Sequence, residues 1–457
     1  MFSELPGDLR LDSEYYRPEY LHQERAIERI LHERLDALGD VSDGNHISIA
    51  EQFSETGIRY LRGKDLSDFF VSDSDPIFIP KNTYKSLRRS HMMPGDVLLG
   101  IVATIGTVSL VTDRFGELTG NCKIAIVRPK RVESEFLAAY FASLIGQREI
   151  HRYARGTVQT GIILPDLKSL PIPLLQDQLR VRIVEKVKDA KKTLERSKNA
   201  YGEAQSLLES ALGLDKLDLA PRLFYERPYA DVETAGRCDA EYFQPAHEAV
   251  IECCKQYKHG WISLDDLMAS ITNGVECREF VEDGVPYLRV GDIDGLLLKP
   301  SEAKQIARAD ADTLRPKIAL EPGDIVMVRS ASIGQTAVIS DNTRDSILSS
   351  HLIRLRQTKP MRVRPLCLAL MLSSLIGVEQ TKKHNNGAIV PEVSQSAVRQ
   401  FIVPLLHNGL QNDIKKHIQA SHDAAKEAQR LLDEAKRKVE EAILGYAEYP
   451  RKASTLE

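Results

Sequence analysis

The chain of 457 residues is about three domains long at ~150 residues each, and its 42% hydrophobic and 28% charged residues exclude the disordered, collagenous and membrane classes. No run of ~18 apolar residues could span a bilayer, and the start, Met1-Phe2-Ser3-Glu4-Leu5-Pro6, lacks the basic then apolar order of a secretory signal; the expected location is the cytoplasm, with no membrane partner. A net charge of −4 excludes a surface coated in cationic groups but not local basic patches, and six cysteines without a C-x-x-C pair indicate neither a zinc ribbon nor a disulfide framework.

In chain order, the sequence is written twice. Arg10-Leu11-Asp12-Ser13-Glu14-Tyr15-Tyr16-Arg17-Pro18 shares R-x-D-x-E-Y-[YF]-x-P with the stretch from Arg237 to Pro245, 227 positions later. At the same offset Gly57-Ile58-Arg59-Tyr60-Leu61-Arg62-Gly63-Lys64-Asp65 answers Gly284-Val285-Pro286-Tyr287-Leu288-Arg289-Val290-Gly291-Asp292. Pro94-Gly95-Asp96 answers Pro322-Gly323-Asp324 at 228, and Ser143-Leu144-Ile145-Gly146 answers Ser374-Leu375-Ile376-Gly377 at 231. One order with a nearly constant offset implies a duplicated unit of roughly 230 residues. Each Pro-Gly pair suits a type II turn leading into an apolar strand, 97–102 in the first unit and 325–328 in the second. Further strands are predicted at 123–127 and 352–356, before apolar helices at 136–144 and 366–375, so the globular parts are α+β.

A long helix closes each unit. Ile183, Val187, Ala190, Leu194, Ser197, Tyr201, Ala204, Leu208 and Ala211 alternate spacings of four and three, and Ile414, Ile418, Ser421, Ala425, Ala428, Leu432, Ala435, Val439 and Ala442 repeat the pattern. Two seams in one register favour mutual packing over two amphipathic helices lying on their own domains. Because the linker with Pro221 and Pro228 carries the chain from the first helix into the second domain, facing seams must be antiparallel, with a pseudo-two-fold axis. The predicted boundaries are 1–174 and 237–404 for two globular domains, 175–213 and 405–446 for the helices, 214–236 for the linker and 447–457 for a tail.

Catalytic constellations are missing from the sequence. Asp75-Pro76-Ile77-Phe78 resembles the [DN]-P-P-[YF] loop of amino-methyltransferases but lacks its second proline, and no upstream glycine cluster would hold S-adenosylmethionine. There is no P-loop, G-x-G-x-x-G, H-E-x-x-H or G-x-S-x-G, and Asp96 and Asp324 are better explained by turn chemistry than by a nuclease carboxylate pair. No metal site is expected. What remains is basic, polar loop material: the stretch 81–91 with Lys81, Arg88 and Arg89, the stretch 148–156 with Arg152 and Arg155, and Lys382, Lys383, His384 and Asn385 at the equivalent place in the second unit. Cations beside amide and hydroxyl donors suit phosphate positioning and base reading.

The doubled order of these motifs, with Thr104-Ile105-Gly106 or Ser332-Ile333-Gly334, the Gly156-Thr157-Val158-Gln159 loop, and Ile172-Pro173-Leu174-Leu175 or Val403-Pro404-Leu405-Leu406 before the heptad helix, resembles the specificity subunit of type I restriction-modification systems. The resemblance covers essentially the whole chain; one departure is Gly409, where a glutamine like Gln178 is expected before the second helix. It implies two target-recognition domains joined by two antiparallel helices. Each domain would read one half of a split, asymmetric site on double-stranded DNA. It implies a chain with no catalysis and no cofactor of its own: two methyltransferase subunits would bind S-adenosylmethionine, and a translocase-nuclease subunit would join for cleavage. The residues expected to meet DNA are those of the basic loops together with Arg59, Arg62, Lys64, Gln159, Arg289 and Arg329. The competing classes are a protein-binding adaptor and a diverged nuclease or methyltransferase.

Overall fold

The computed structural model describes residues 13–67, 69–72, 75–156, 160–301, 303–330, 334–385 and 391–445. They form a mixed α+β fold that divides into two compact units. The first takes the chain up to Leu194 together with the stretch from Lys426, and the second runs from Glu195 to Ala425. Each unit thus contains half of each long helix, Asp177–Leu212 and Asn408–Leu444, where the sequence boundaries set the helices apart as separate segments. Among the described residues no helix is long and apolar enough to cross a membrane.

In the first unit the main sheet has the strand order Gly39–Asp43, Ile124–Pro129, Val97–Gly100, Val108–Leu110, Phe69–Val71, Leu66–Ser67. A second sheet pairs Ile58–Leu61 antiparallel with Ile77–Ile79 and parallel with Leu118–Gly120. The second unit repeats both arrangements: Met268–Asn273, Leu352–Gln357, Ile325–Val328 and Thr336–Val338 make its main sheet, while Val285–Leu288 pairs antiparallel with Lys304–Ile306 and parallel with Ile347–Leu348. The predicted strands match strands of these sheets, with Ile101, Val102 and Lys123 lying just outside them, and the Pro-Gly pairs make the expected turns. Asp96 N donates to Met93 O at 3.0 Å and Asp324 N to Glu321 O at 3.0 Å, with Gly95 and Gly323 at φ +92° and +94°.

Each Pro-Gly-Asp aspartate has a structural task. Asp96 accepts from Met93 N at 2.8 Å and from Arg128 at 2.8 and 2.7 Å; Asp324 accepts from Glu321 N at 2.8 Å and from Arg356 at 2.9 and 2.7 Å. The Ser-Leu-Ile-Gly repeats join the two apolar helices of each unit, Ser134–Ala142 to Leu144–Arg152 and Pro365–Ser373 to Leu375–Lys383. Ser143 Oγ accepts from Gly146 N at 3.2 Å and so caps the second helix. A Cβ at Gly146 would lie 2.0 Å from Tyr140 O, and one at Gly377 1.9 Å from Leu372 O, which is why glycine stands at both places.

The helix seams are buried as their spacing predicts. In the first unit Ile183, Val187 and Ala190 share a core with Leu432, Ala435 and Val439 and with Phe136 and Tyr140 of the apolar helix, and Leu194 packs at its edge. In the second unit Ala204 and Leu208 share a core with Ile414 and Ile418, and Tyr201 packs against it. There the two helices run antiparallel: Ser197 Oγ donates to Ser421 O at 2.8 Å, and Glu203, further along, meets His417, further back, at 2.8 Å. Gly409 does not delay the second helix, which starts at Asn408, 231 positions after Asp177. His407 Nδ1 accepts from Leu410 N at 3.2 Å and supplies a cap there. The stretch expected as a linker is anchored at its start, with Leu214 buried in the second unit's core and Leu217 and Leu219 packed against it.

Candidate nucleic-acid interface

Several loops converge at one edge of each main sheet. In the first unit, Ile101 N donates to Lys123 O at 2.9 Å, Asn121 N to Leu61 O at 3.0 Å, Ile162 N to Ile101 O at 3.0 Å, and Arg155 and Gly161 exchange backbone bonds at 2.7 and 2.8 Å. The stretches 61–64, 101–107 and 121–123 therefore form one hydrogen-bonded cluster with Arg155, Gly161 and Ile162. Gly106 of the Thr-Ile-Gly motif has φ +83° and its carbonyl accepts from Gln147 Nε2 at 2.7 Å; Gly334 has φ +87° at the matching place. In the second unit Arg329 N donates to His351 O at 3.0 Å, Ser349 N to Leu288 O at 2.9 Å, and Ser330 bridges Glu392 as Val102 bridges Gly161.

The expected DNA contacts divide into exposed groups and groups turned into the protein. Lys81, Arg88 and Arg89 are exposed on the helix Lys81–Ser86 and the turn after it. Arg89 pairs with Asp43 at 3.1 Å and Lys81 lies 3.9 Å from Glu117. Lys64 is exposed and pairs with Asp75 at 2.7 Å, holding that carboxyl below its usual range. Asp75, the methyltransferase-like position, thus neutralises neighbouring cations; it also accepts from Arg62 at 3.2 Å.

Arg59 and Arg152 are corrections. Arg59 is 5% exposed and its guanidinium donates to Ile77 O and Ser72 O, each at 3.3 Å, so it ties a strand to its own domain. Arg152 is 4% exposed, stacks 4.2 Å over the Tyr15 ring, and pairs with Glu24 at 3.0 Å. Lys383, at the equivalent place, lies 4.3 Å over Tyr242, and burial pulls its pKa down, opposed by Glu248 at 3.9 Å. Arg237 covers Tyr242 at 4.7 Å and forms two bonds with Asp239, at 2.8 and 2.7 Å. The R-x-D-x-E-Y motif of the second unit is therefore a packing device, with a tyrosine held under cations; Arg10 and Asp12 lie outside the described residues.

The other positions are partly occupied. Arg62 makes two 3.0 Å bonds to Asp65, whose carboxylate also accepts from Arg62 N; Asp292 accepts from Arg289 N at 2.6 Å, the same turn rebuilt. Arg155 pairs with Asp166 at 2.7 Å, Arg329 with Glu392, and Lys382 with Glu379 at 2.7 Å. Asn385 Oδ1 accepts from Glu392 N at 2.9 Å. Burial, with Lys383 and Arg237 nearby, pushes His384 down to about 4, so this imidazole is neutral at pH 7. Gln159 lies outside the described residues.

Sequence reading passed over two features. The turns 121–123 and 349–351, at the same 228 offset as the Pro-Gly-Asp pairs, sit at the centre of each cluster. The helix Arg308–Ile318 follows strand Lys304–Ile306 as Lys81–Ser86 follows Ile77–Ile79, but its arginines face acids, Arg308 at 3.8 Å from Asp283 and Arg315 at 3.9 Å from Asp312. The offset carried the signal for both.

No protein-family model and no curated protein matches the chain. Among solved structures it is similar to the type I restriction-modification S subunit from M. genitalium, at 14% identity and TM-score 0.39, covering 90% of this chain and 94% of that one. It is also similar to the HsdS subunit from Thermoanaerobacter tengcongensis, at 15% identity and TM-score 0.30 with 91% and 96% covered. A chain from a structure describing complex assembly and conformational transition of the type I R-M system matches at 16% identity and TM-score 0.30, with 91% and 97% covered.

Proposed function

We propose that this chain is the DNA-recognition subunit of a type I restriction-modification complex, whose two units each read one half of a split site on duplex DNA. The observation that carries the proposal is one loop scaffold built twice with unlike side chains. Two matching scaffolds suit two separate segments of one duplex's major groove, and unlike side chains suit two unlike half-sites. Backbone phosphates would be met by exposed cations such as Lys81, Lys85, Arg88 and Arg89, which position the protein without reading sequence. Methyl transfer and cleavage belong in this reading to partner subunits, two methyltransferases binding S-adenosylmethionine and a translocase-nuclease. The doubled motif order supports that assignment.

The test is equilibrium DNA binding by the full chain assembled with methyltransferase subunits, titrated against salt. Replacing Lys81, Lys85 and Arg88 by alanine should weaken binding to every sequence alike and reduce the salt slope by roughly one per cation. An unchanged slope in a folded complex would move the DNA face away from this helix.

A further inference from the structure

The turns 121–123 and 349–351 are fastened by the same set of backbone bonds. Asn121 N donates to Leu61 O and Ser349 N to Leu288 O; Asn45 N donates to Gly120 O and Val275 N to Leu348 O; Ile124 N donates to Asn121 O and Leu352 N to Ser349 O. Gly44 N donates to Ile124 O and Gly274 N to Leu352 O, and the carbonyls of Lys123 and His351 accept from Ile101 N and Arg329 N. The ten distances lie between 2.7 and 3.2 Å. A Cβ on Gly44 or Gly274 would lie 2.1 Å from the carbonyl of Asn121 or Ser349, so the chain alongside each turn must be glycine. Neither turn can shift without breaking a sheet edge.

Each rigid turn ends in one exposed side chain, Lys123 in the first unit and His351 in the second. Among the described residues Lys123 has no carboxylate partner, whereas Lys64, three residues beyond Leu61, is neutralised by Asp75. His351 is oriented: its Nδ1 lies 2.6 Å from Ser330 Oγ, which leaves Nε2 for an outside partner. A lysine offers only donors, which match the O6 and N7 acceptors of guanine in the major groove, while an imidazole nitrogen can donate or accept. Side chains on rigid elements hold such geometry better than those on free loops.

We infer that Lys123 and His351 are specificity-determining residues, each reading one base pair in the half-site of its own unit. This rests on the DNA-reading function proposed above. The experiment exposes the full chain, assembled with methyltransferase subunits, to a pool of duplexes with randomised sequence, and sequences what is bound. Wild type, Lys123→Gln, His351→Gln and the exchanges Lys123→His and His351→Lys are compared, with Lys85→Gln as a control for general charge loss. Lys123→Gln should leave thermal melting unchanged, and His351→Gln should lower it only slightly, by loss of the Ser330 bond. Lys123→Gln should relax one position in one half-site, roughly five- to hundredfold in preference, with every other position kept. His351→Gln should do the same in the other half, and the exchanges should alter those same two positions. Preferences kept at every position, or all positions weakened together as in the control, would overturn the inference while leaving DNA reading intact. If wild type enriches no sequence, the recognition function fails and the inference falls with it.

Discussion

Gly146 and Glu149 stand one helical turn apart and fail for different physical reasons when changed. A methyl group at Gly146 has a carbonyl oxygen 2.0 Å away and no room to relax, because both apolar helices are buried. Gly146→Ala should cost about 2 kcal/mol or more, read as a lower urea midpoint, whereas Gly202→Ala, where the space is open in mid-helix, should raise stability by up to about 1 kcal/mol. Glu149 is buried against Gln23, whose Nε2 donates to it at 2.6 Å, and burial pushes its carboxyl up to about 7. Between the ordinary carboxyl pKa and 7 the folded chain holds a proton that the unfolded chain has lost, so this group's contribution to stability falls as pH rises through 7. Glu149→Gln keeps an acceptor for Gln23 and removes the ionisation. Unfolding in urea at pH 8 should show the variant more stable than wild type by up to about 3 kcal/mol, and the gap should shrink towards pH 5. In the second unit His247 and Lys382 outweigh burial at Glu379 and hold its pKa down, so Glu379→Gln should instead lower stability at pH 8.

At the scale of elements, the long helices and the sheets differ in how much a sequence reveals. The helices were legible because a spacing of three and four persists for more than thirty residues, and Ile183, Val187, Leu208, Ile414, Ile418 and Val439 are all fully buried where it places them. The central strands were legible from apolar runs. Short pieces such as His91–Met92 and Ile293–Asp294 were not, since two residues carry no period. Misplacement of Arg59 and Arg152 among DNA contacts has two causes: the partner that buries Arg152 is distant in sequence, Tyr15 lying 137 positions away, whereas Arg59 is held by backbone carbonyls 13 and 18 positions on, which no side-chain pattern marks. A basic residue near a loop looks alike whether it faces solvent or a tyrosine ring. Ile418→Ala tests the seam itself. Removing a fully buried side chain from the second unit's core should cost about 2–5 kcal/mol, whereas alanine at the exposed neighbour Lys416 should leave the unfolding midpoint within error.

Across the whole molecule, repetition of backbone and divergence of side chains run together. The backbone bonds of the turns at Asp65 and Asp292, of the Pro-Gly-Asp corners and of the fastened loops at Lys123 and His351 recur in both units. The groups exposed from that shared frame do not: the acid-free helix with Lys81 and Lys85 is answered by one in which Asp310 and Asp312 stand among Arg308, Arg315 and Lys317. Two copies of one frame bearing unlike chemistry should accept two unlike half-sites, and a change confined to one unit should alter one half alone. Mapping of methylated bases tests this most directly, in a host lacking restriction-modification genes that expresses the full chain with methyltransferase subunits from the same genome. The expected result is methylation at one asymmetric sequence made of two short specified halves around an unspecified gap, lost when the chain is omitted. Methylation that does not depend on the chain, or that follows a single unsplit sequence, would contradict a two-unit reader.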